Sequence, residues 1–197
     1  MIRYSFSLLI LVLLALVVQQ FIPSLTGLYN SRLLLLTLVF LCASVTVRTP
    51  VMLILAFVCG FLWDAQTALG PAGGDPEVYK GTVDSLHFGH SIILYGAIGF
   101  LMQGIQPLFR EGKWQISAVL VGVSIFIYLV TEYLIINFIR GGFVFPRATL
   151  FQIVFTSTLT MLFSPLVFWT LFTIASKFGH EIRFEGLKKK RRRRLIA

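Results

Sequence analysis

Two carboxylates interrupt the apolar stretches of this chain and are its first candidates for chemistry. Asp64 lies fourteen residues after Pro50, about 21 Å along a helix. Glu132 lies sixteen residues after Ile116, about 24 Å along another helix. If both helices enter a bilayer core of about 30 Å from the same side, the two acids reach a similar depth in its outer third. Such a pair could relay protons or cations.

The same two acids also have a structural interpretation. A carboxylate near the outer surface of a membrane can bond to neighbouring helices and fix their packing. Ser124, Tyr128 and Glu132 share one helical face, so the second helix carries a polar stripe of its own. Because the apolar segments contain no Lys or Arg to face the acids, the sequence favours packing over a relay.

Two histidines stand at the entry to the segment that follows Asp64, in the sequence His87-Phe-Gly-His90. Their spacing could place both imidazoles on one helix face near Asp64, as in a zinc site. A third ligand at fixed spacing is missing, so polar residues at a helix entry are the favoured interpretation. We define an outer polar cluster by five residues: Asp64, His87, His90, Tyr128 and Glu132.

Other catalytic signatures are missing from the sequence. It has no glycine-rich phosphate loop, no serine nucleophile elbow, no cysteine-based site and no HExxH zinc motif. We therefore expect a protein that is not an enzyme and that needs neither a metal nor another cofactor.

Small residues line one face of the segment that contains Asp64. Met52, Ala56, Gly60 and Asp64 are each four residues apart and lie on the same side of a helix. Small residues let membrane helices approach closely. We predict that this face packs against protein, and that helix packing or partner contact involves seven residues: Pro50, Ala56, Gly60, Asp64, Gly70, Glu132 and Pro165.

The last apolar segment combines hydroxyl groups with a proline. Thr156, Ser157 and Thr160 precede Pro165, which should kink the helix or open it locally. The hydroxyls could line a substrate cavity, or they could bond to carbonyls of their own helix. The sequence leaves both interpretations open.

The elements that must position these residues are membrane helices. The chain has 197 residues, is 57% hydrophobic and has a mean hydropathy of +0.87, which excludes an ordinary soluble domain. We predict an all-α bundle of six transmembrane helices over residues 1–177, followed by a basic tail over residues 178–197. The six apolar segments are Ser5–Ile22, Leu33–Val47, Val51–Ala68, Ser91–Phe109, Ile116–Phe138 and Leu150–Ser176.

The second apolar segment is shorter than a usual span. Its fifteen residues fall below the minimum of about 17, and Arg48, Thr49 and Pro50 leave almost no loop before the third segment. The second and third segments are therefore predicted to form a tight helical hairpin. We expect the bilayer to thin locally there, or flanking residues to snorkel.

Positive charge predicts that both termini lie in the cytoplasm. With the N-terminus inside, thirteen Lys and Arg fall on the inside and four on the outside. Without the C-terminal cluster the count is four against four, so the tail decides the orientation. The first segment lacks a small-x-small cleavage site and is predicted to be a retained span rather than a signal peptide. The turn-rich loop Gly70–Phe88 then lies outside.

The tail concentrates the positive charge. Nine of the seventeen Lys and Arg lie in residues 177–194 of a chain whose net charge is +9. Nucleic acid is one possible partner for such a run, but no aromatic residue is interleaved in it, and we predict no nucleic-acid binding. Each cation near an anionic membrane contributes about 1 kcal/mol. The predicted lipid contacts are Lys188, Lys189, Lys190, Arg191, Arg192, Arg193 and Arg194.

Taken in order along the chain, these features resemble the MreD family of bacterial rod shape-determining proteins. The similarity covers about residues 48–177: Pro50 opens the second helix of a short hairpin, Gly60-x-x-x-Asp64 and Gly70 follow, an acid-bearing helix carries Glu132, and the last helix contains Pro165. The Gly70–Phe88 loop is longer, and the tail more basic, than is usual in that family.

The resemblance implies a subunit of the bacterial cytoplasmic (inner) membrane that belongs to the cell-elongation machinery and is not an enzyme. Its implied partners are membrane-anchored MreC, the MreB filament and the peptidoglycan-synthesising pair of RodA and a penicillin-binding protein. It also implies a fold similar to the substrate-binding subunits of energy-coupling-factor transporters. A vitamin-binding subunit is therefore the alternative function.

Overall fold

The computed structural model describes residues 2–68, 88–109, 114–140 and 146–177. His87, Gly70, most of the Gly70–Phe88 loop and the tail cations at 188–194 lie outside the described residues, so the predictions made for them stay predictions. Within the described residues the secondary structure is helical, without a strand, which confirms the all-α class. The helices are α1 (Ile2–Phe21), α2 (Leu35–Thr46), α3 (Thr49–Ala68), α4 (His90–Phe109), α5 (Trp114–Arg140) and α6 (Arg147–Lys177), with a 3₁₀ turn at Thr26–Leu28.

Four of these helices are long and apolar enough to cross a membrane: Arg3–Phe21 in α1, Thr49–Gln66 in α3, Ser117–Ile139 in α5 and Arg147–Lys177 in α6. Large apolar side chains cover their outer faces. Phe6 is 64% exposed, Leu162 72% and Trp169 70%. A water-soluble protein rarely leaves such extensive apolar surface uncovered, so this surface and the four long apolar helices suggest a membrane protein.

The short helix α2 lies at the centre of the bundle. It contacts each of the other five helices, and every residue from Leu36 to Thr46 is buried. Only the two residues Val47 and Arg48 connect it to α3, as the predicted hairpin requires. At 12 residues and 1.5 Å per residue, α2 is about 18 Å long, well short of a bilayer core.

A non-helical segment extends α2 at its N-terminal end. Residues 31–34 have no regular helix, yet Ser31, Leu33 and Leu34 are buried. The thinning or snorkelling predicted for the second apolar segment stays a prediction.

Side chains of α1 and α6 satisfy the backbone of this segment. The amide of Arg32 donates to Thr156 Oγ1 at 3.3 Å, and the amide of Leu34 donates to Thr160 Oγ1 at 3.4 Å. The amide of Leu36, in the first turn of α2, donates to Gln19 Oε1 at 2.9 Å. Non-helical backbone at membrane depth is tolerated where protein supplies its hydrogen bonds. The α6 threonines therefore support backbone rather than line a cavity.

Candidate functional site

The small-residue face of α3 packs against α4. A methyl group at Gly60 would come within 2.5 Å of the Ile92 Cα atom and 2.6 Å of its nitrogen, distances that real Cβ atoms essentially never show. Further along the seam, a methyl group at Gly99 of α4 would lie 2.5 Å from the sulfur of Met52. Ala56, between them on α3, is 2% exposed. The two helices therefore meet with backbone close to backbone.

Asp64 ends this face with a hydrogen bond to the start of α4. Its side chain is 3% exposed, and its Oδ2 accepts the amide proton of Gly89 at 2.6 Å. Gly89 has a φ of +103°, a backbone conformation that residues other than glycine rarely adopt. It directly precedes His90, the first residue of α4. A carboxylate here satisfies an amide outside the helix ladder and interacts favourably with the N-terminal dipole of α4.

The second acid, Glu132, lies on α5 beside the same end of α3. Its carboxyl group lies near the Trp63 indole and is close enough to Asp64 for the two carboxyl groups to interact. Trp63 and Asp64 are consecutive residues of α3. The structure thus brings together the two acids that the sequence placed at similar depth, and it places an aromatic ring beside Glu132.

Tyr128 lies one turn before Glu132 on α5 and points into the same space. It is 1% exposed and lies near Ser91, Asp64 and Glu132. Its hydroxyl has no hydrogen-bond partner among the described residues. We call Trp63, Asp64, Ser91, Tyr128 and Glu132 the Glu132 cluster.

A row of aromatic rings connects this cluster to α2. The Tyr95 ring packs edge-on against Tyr128, with centroids 5.4 Å apart, and against Phe40, at 5.1 Å. The Tyr95 hydroxyl shares a hydrogen bond of 2.8 Å with Thr37 Oγ1 of α2. Because Tyr95 and Tyr128 are buried, these contacts fix the side of α5 that faces the core.

The histidines do not complete a metal site in the described part of the chain. His90 is half-buried at the start of α4, next to the Gly89 amide that Asp64 binds, and His87 is outside the described residues. No group of three or more His, Cys, Asp or Glu side chains among the described residues could hold a metal ion. Among the described residues, the structure therefore does not assemble a set of ligands for zinc.

The sequence did not identify the partners of three polar side chains that join different helices. Gln19 was assigned to the end of the first span, and the structure shows it capping α2. Gln103 of α4 accepts a hydrogen bond of 2.9 Å from the Thr49 hydroxyl and donates one of 3.4 Å to the Val47 carbonyl. Ser157 donates to the Gly122 carbonyl of α5 at 3.1 Å. A polar side chain inside an apolar helix marks each position, but it does not specify the distant group that the side chain meets.

The two prolines predicted to take part in helix packing lie in α3 and α6. Pro50 is the second residue of α3, where a proline is tolerated because the first-turn amides lack helical partners. Pro165 lies inside α6, directly after Ser164, whose buried hydroxyl has no partner among the described residues.

Comparison of the chain with protein-family models, curated proteins and solved structures finds no match.

Proposed function

We propose that the chain is a non-enzymatic scaffold subunit of the bacterial cell-elongation machinery in the cytoplasmic membrane. The observation that supports this role best is the hydrogen bond from the Gly89 amide to Asp64. Through this bond Asp64 joins α3 to the start of α4. Joining two helices is the role expected of a packing residue. The resemblance of Pro50, Gly60, Asp64, Glu132 and Pro165 to the MreD pattern supports the same role.

The proposed topology has six crossings with both termini in the cytoplasm. Four helices are long and apolar enough to span. We add α4, which has 20 residues and an expected length of about 30 Å, and α2 with the non-helical residues 31–34. In this arrangement the basic residues at 188–194 contact anionic lipids on the cytoplasmic side.

We propose that an MreC-like partner places its transmembrane helix on the outward face of α3. That face lies beside the stripe that contains Gly60 and carries large exposed side chains: Leu53, Ile54, Phe57 and Phe61 are 43%, 61%, 56% and 44% exposed. Phe61 stacks with Phe57, with centroids 6.4 Å apart, and meets the Phe88 ring edge-on at 5.3 Å. Aromatic contact area of this kind is typical of interface anchors. MreB and RodA with its penicillin-binding protein would associate as further members of the assembly.

Purification of the tagged chain in mild detergent tests the proposal. We expect an MreC-like protein to co-purify, and we expect the double variant Phe57→Ala, Phe61→Ala to reduce its recovery severalfold. Leu162→Ala, which removes an exposed side chain from α6, serves as the matched control and should leave recovery unchanged. Recovery of a paired ATPase module instead would contradict the scaffold role.

A second candidate is a substrate-binding subunit similar to those of energy-coupling-factor vitamin transporters. The buried Tyr128 hydroxyl without a described partner favours it, since ligand sites contain polar groups that the protein alone leaves unsatisfied. This function predicts a vitamin that raises the melting temperature of the purified protein. A thermal-shift screen that finds no stabilising vitamin would count against it.

A further inference from the structure

Within the described residues, no positively charged side chain is shown paired with Glu132 of the Glu132 cluster. Glu132 is partly buried within the apolar helix α5 and lies near the Trp63 indole, the Asp64 carboxylate and Tyr128. A carboxylate kept at membrane depth is costly unless donors or positive charge compensate it. The indole carries no charge, and the neighbouring acid adds negative charge.

Tyr128 gives independent evidence of a missing group. Its hydroxyl is in a residue that is 1% exposed, and it lies near Ser91, Asp64 and Glu132 with no hydrogen-bond partner among the described residues. An unsatisfied buried hydroxyl is unfavourable. A ligand that donates hydrogen bonds would satisfy Tyr128 and Glu132 together.

The composition of the cluster distinguishes between kinds of cation. A hard metal ion such as Ca²⁺ takes about six to eight oxygen ligands, and among the described residues no group of three or more His, Cys, Asp or Glu could hold a metal. The cluster instead combines two acids with the rings of Trp63 and Tyr128. Carboxylates beside aromatic rings are the surroundings that organic ammonium groups prefer, because they offer both hydrogen-bond acceptors and cation–π attraction.

We infer that the Glu132 cluster binds a primary ammonium group, with Glu132 and Tyr128 as its main hydrogen-bond acceptors and Trp63 beside it. Two sources carry this chemistry: a small free amine, or the lysine of another membrane protein. The inference does not depend on the scaffold role, since the cluster would bind the same group in a scaffold and in a transporter subunit.

A thermal-shift titration of the purified full chain in detergent tests the inference. Propylammonium chloride is compared with sodium chloride and tetramethylammonium chloride at equal ionic strength. We expect propylammonium alone to give a saturable rise in Tm of about 2–4 °C, because neither other cation donates hydrogen bonds. Equal shifts with all three salts would overturn the inference.

Substitutions in the Glu132 cluster test where propylammonium binds. Glu132→Gln and Tyr128→Phe should each abolish or strongly reduce the propylammonium shift, whereas Tyr29→Phe, at an exposed tyrosine of the turn after α1, should leave it unchanged. If Glu132→Gln does not fold, Tyr128→Phe still decides the outcome, because it removes one hydroxyl and keeps the ring. A full propylammonium shift in Tyr128→Phe would overturn the inference.

A hydrophobic carbodiimide separates the two sources in native membranes. It activates the Glu132 carboxylate, and a bound amine then forms an amide bond with it while the carbodiimide leaves as a urea. Mass spectrometry that finds a small-amine adduct supports a free ligand, and a crosslink to a lysine of another protein supports a partner. A crosslink from Glu132 to a lysine of this same chain would overturn the inference, since the chain would then supply its own cation.

Discussion

At the scale of single residues, Gly60 and Asp64 have separate tasks on one face of α3. Gly60 lets the α4 backbone approach to a distance that no side chain would allow. Asp64, one turn later, binds the Gly89 amide and so fixes where α4 begins. The first residue sets the separation of the two helices, and the second sets their relative position along the seam.

Gly60→Ala should destabilise the protein, because the added methyl group would collide with the Ile92 backbone rather than with a movable side chain. Overpacking of this kind costs about 1–3 kcal/mol, which we expect to appear as a lower melting temperature in detergent. Gly96→Ala in α4 is the matched control, since a methyl group there meets nothing within 4 Å, and alanine favours helix by up to about 1 kcal/mol. Equal melting temperatures for both variants would contradict the assignment.

Asp64→Ala should leave the Gly89 amide without its acceptor and should cost roughly 1–3 kcal/mol. Asp64→Asn keeps an acceptor oxygen and should lose less. Thermal unfolding in detergent and hydrogen exchange at the Gly89 amide measure the two effects. Partner recovery should fall with Asp64→Ala as well. Unchanged stability, amide protection and partner recovery in Asp64→Ala would show that the acid is not a packing residue.

At the scale of elements, α2 is a helix that cannot cross a membrane on its own length. In the proposed topology residues 31–34 extend this crossing, and threonines of α6 accept hydrogen bonds from that segment. Thr160 has two roles, since its hydroxyl also donates to the Thr156 carbonyl of its own helix at 2.6 Å. The hydroxyls of α6 thus satisfy both α6 itself and the segment that enters α2.

The double variant Thr156→Val, Thr160→Val should destabilise the protein, because the Arg32 and Leu34 amides would lose their acceptors. At about 1–3 kcal/mol for each unsatisfied group, the expected loss is a substantial part of the stability of a domain. Thr158→Val is the control, since that exposed hydroxyl bonds to the Val154 carbonyl of its own helix. Thermal unfolding and hydrogen exchange at Leu34 report the effect, and equal behaviour of the two variants would contradict it.

At the scale of the whole molecule, α2 is surrounded by the other five helices, and the exposed apolar surface faces outward. The proposed orientation of this bundle depends on charges in the tail, because the remaining Lys and Arg are balanced, four against four. Helix packing therefore depends on the core, whereas the proposed orientation depends on the charges at the C-terminal end.

Replacing the seven basic residues at 188–194 with glutamine should weaken the orientation signal and the attachment of the tail to lipid. At about 1 kcal/mol per cation near an anionic surface, vesicle binding by the tail should fall steeply. Compartment-specific reporter fusions at the C-terminus should show a cytoplasmic terminus in the native chain and a mixture in the variant. A C-terminus that is outside in the native chain would contradict the predicted topology.

The sequence by itself determined the helical class, the apolar character of the long helices and the face of α3 that carries Gly60 and Asp64. Each of these depends on composition or on a four-residue repeat, which are local properties. Only the tertiary structure decided what Asp64 binds and which side chains accept the amide protons of residues 32 and 34. Those contacts join residues 25, 124 and 126 positions apart, and no spacing within a single helix specifies which distant backbone amide a polar side chain will meet.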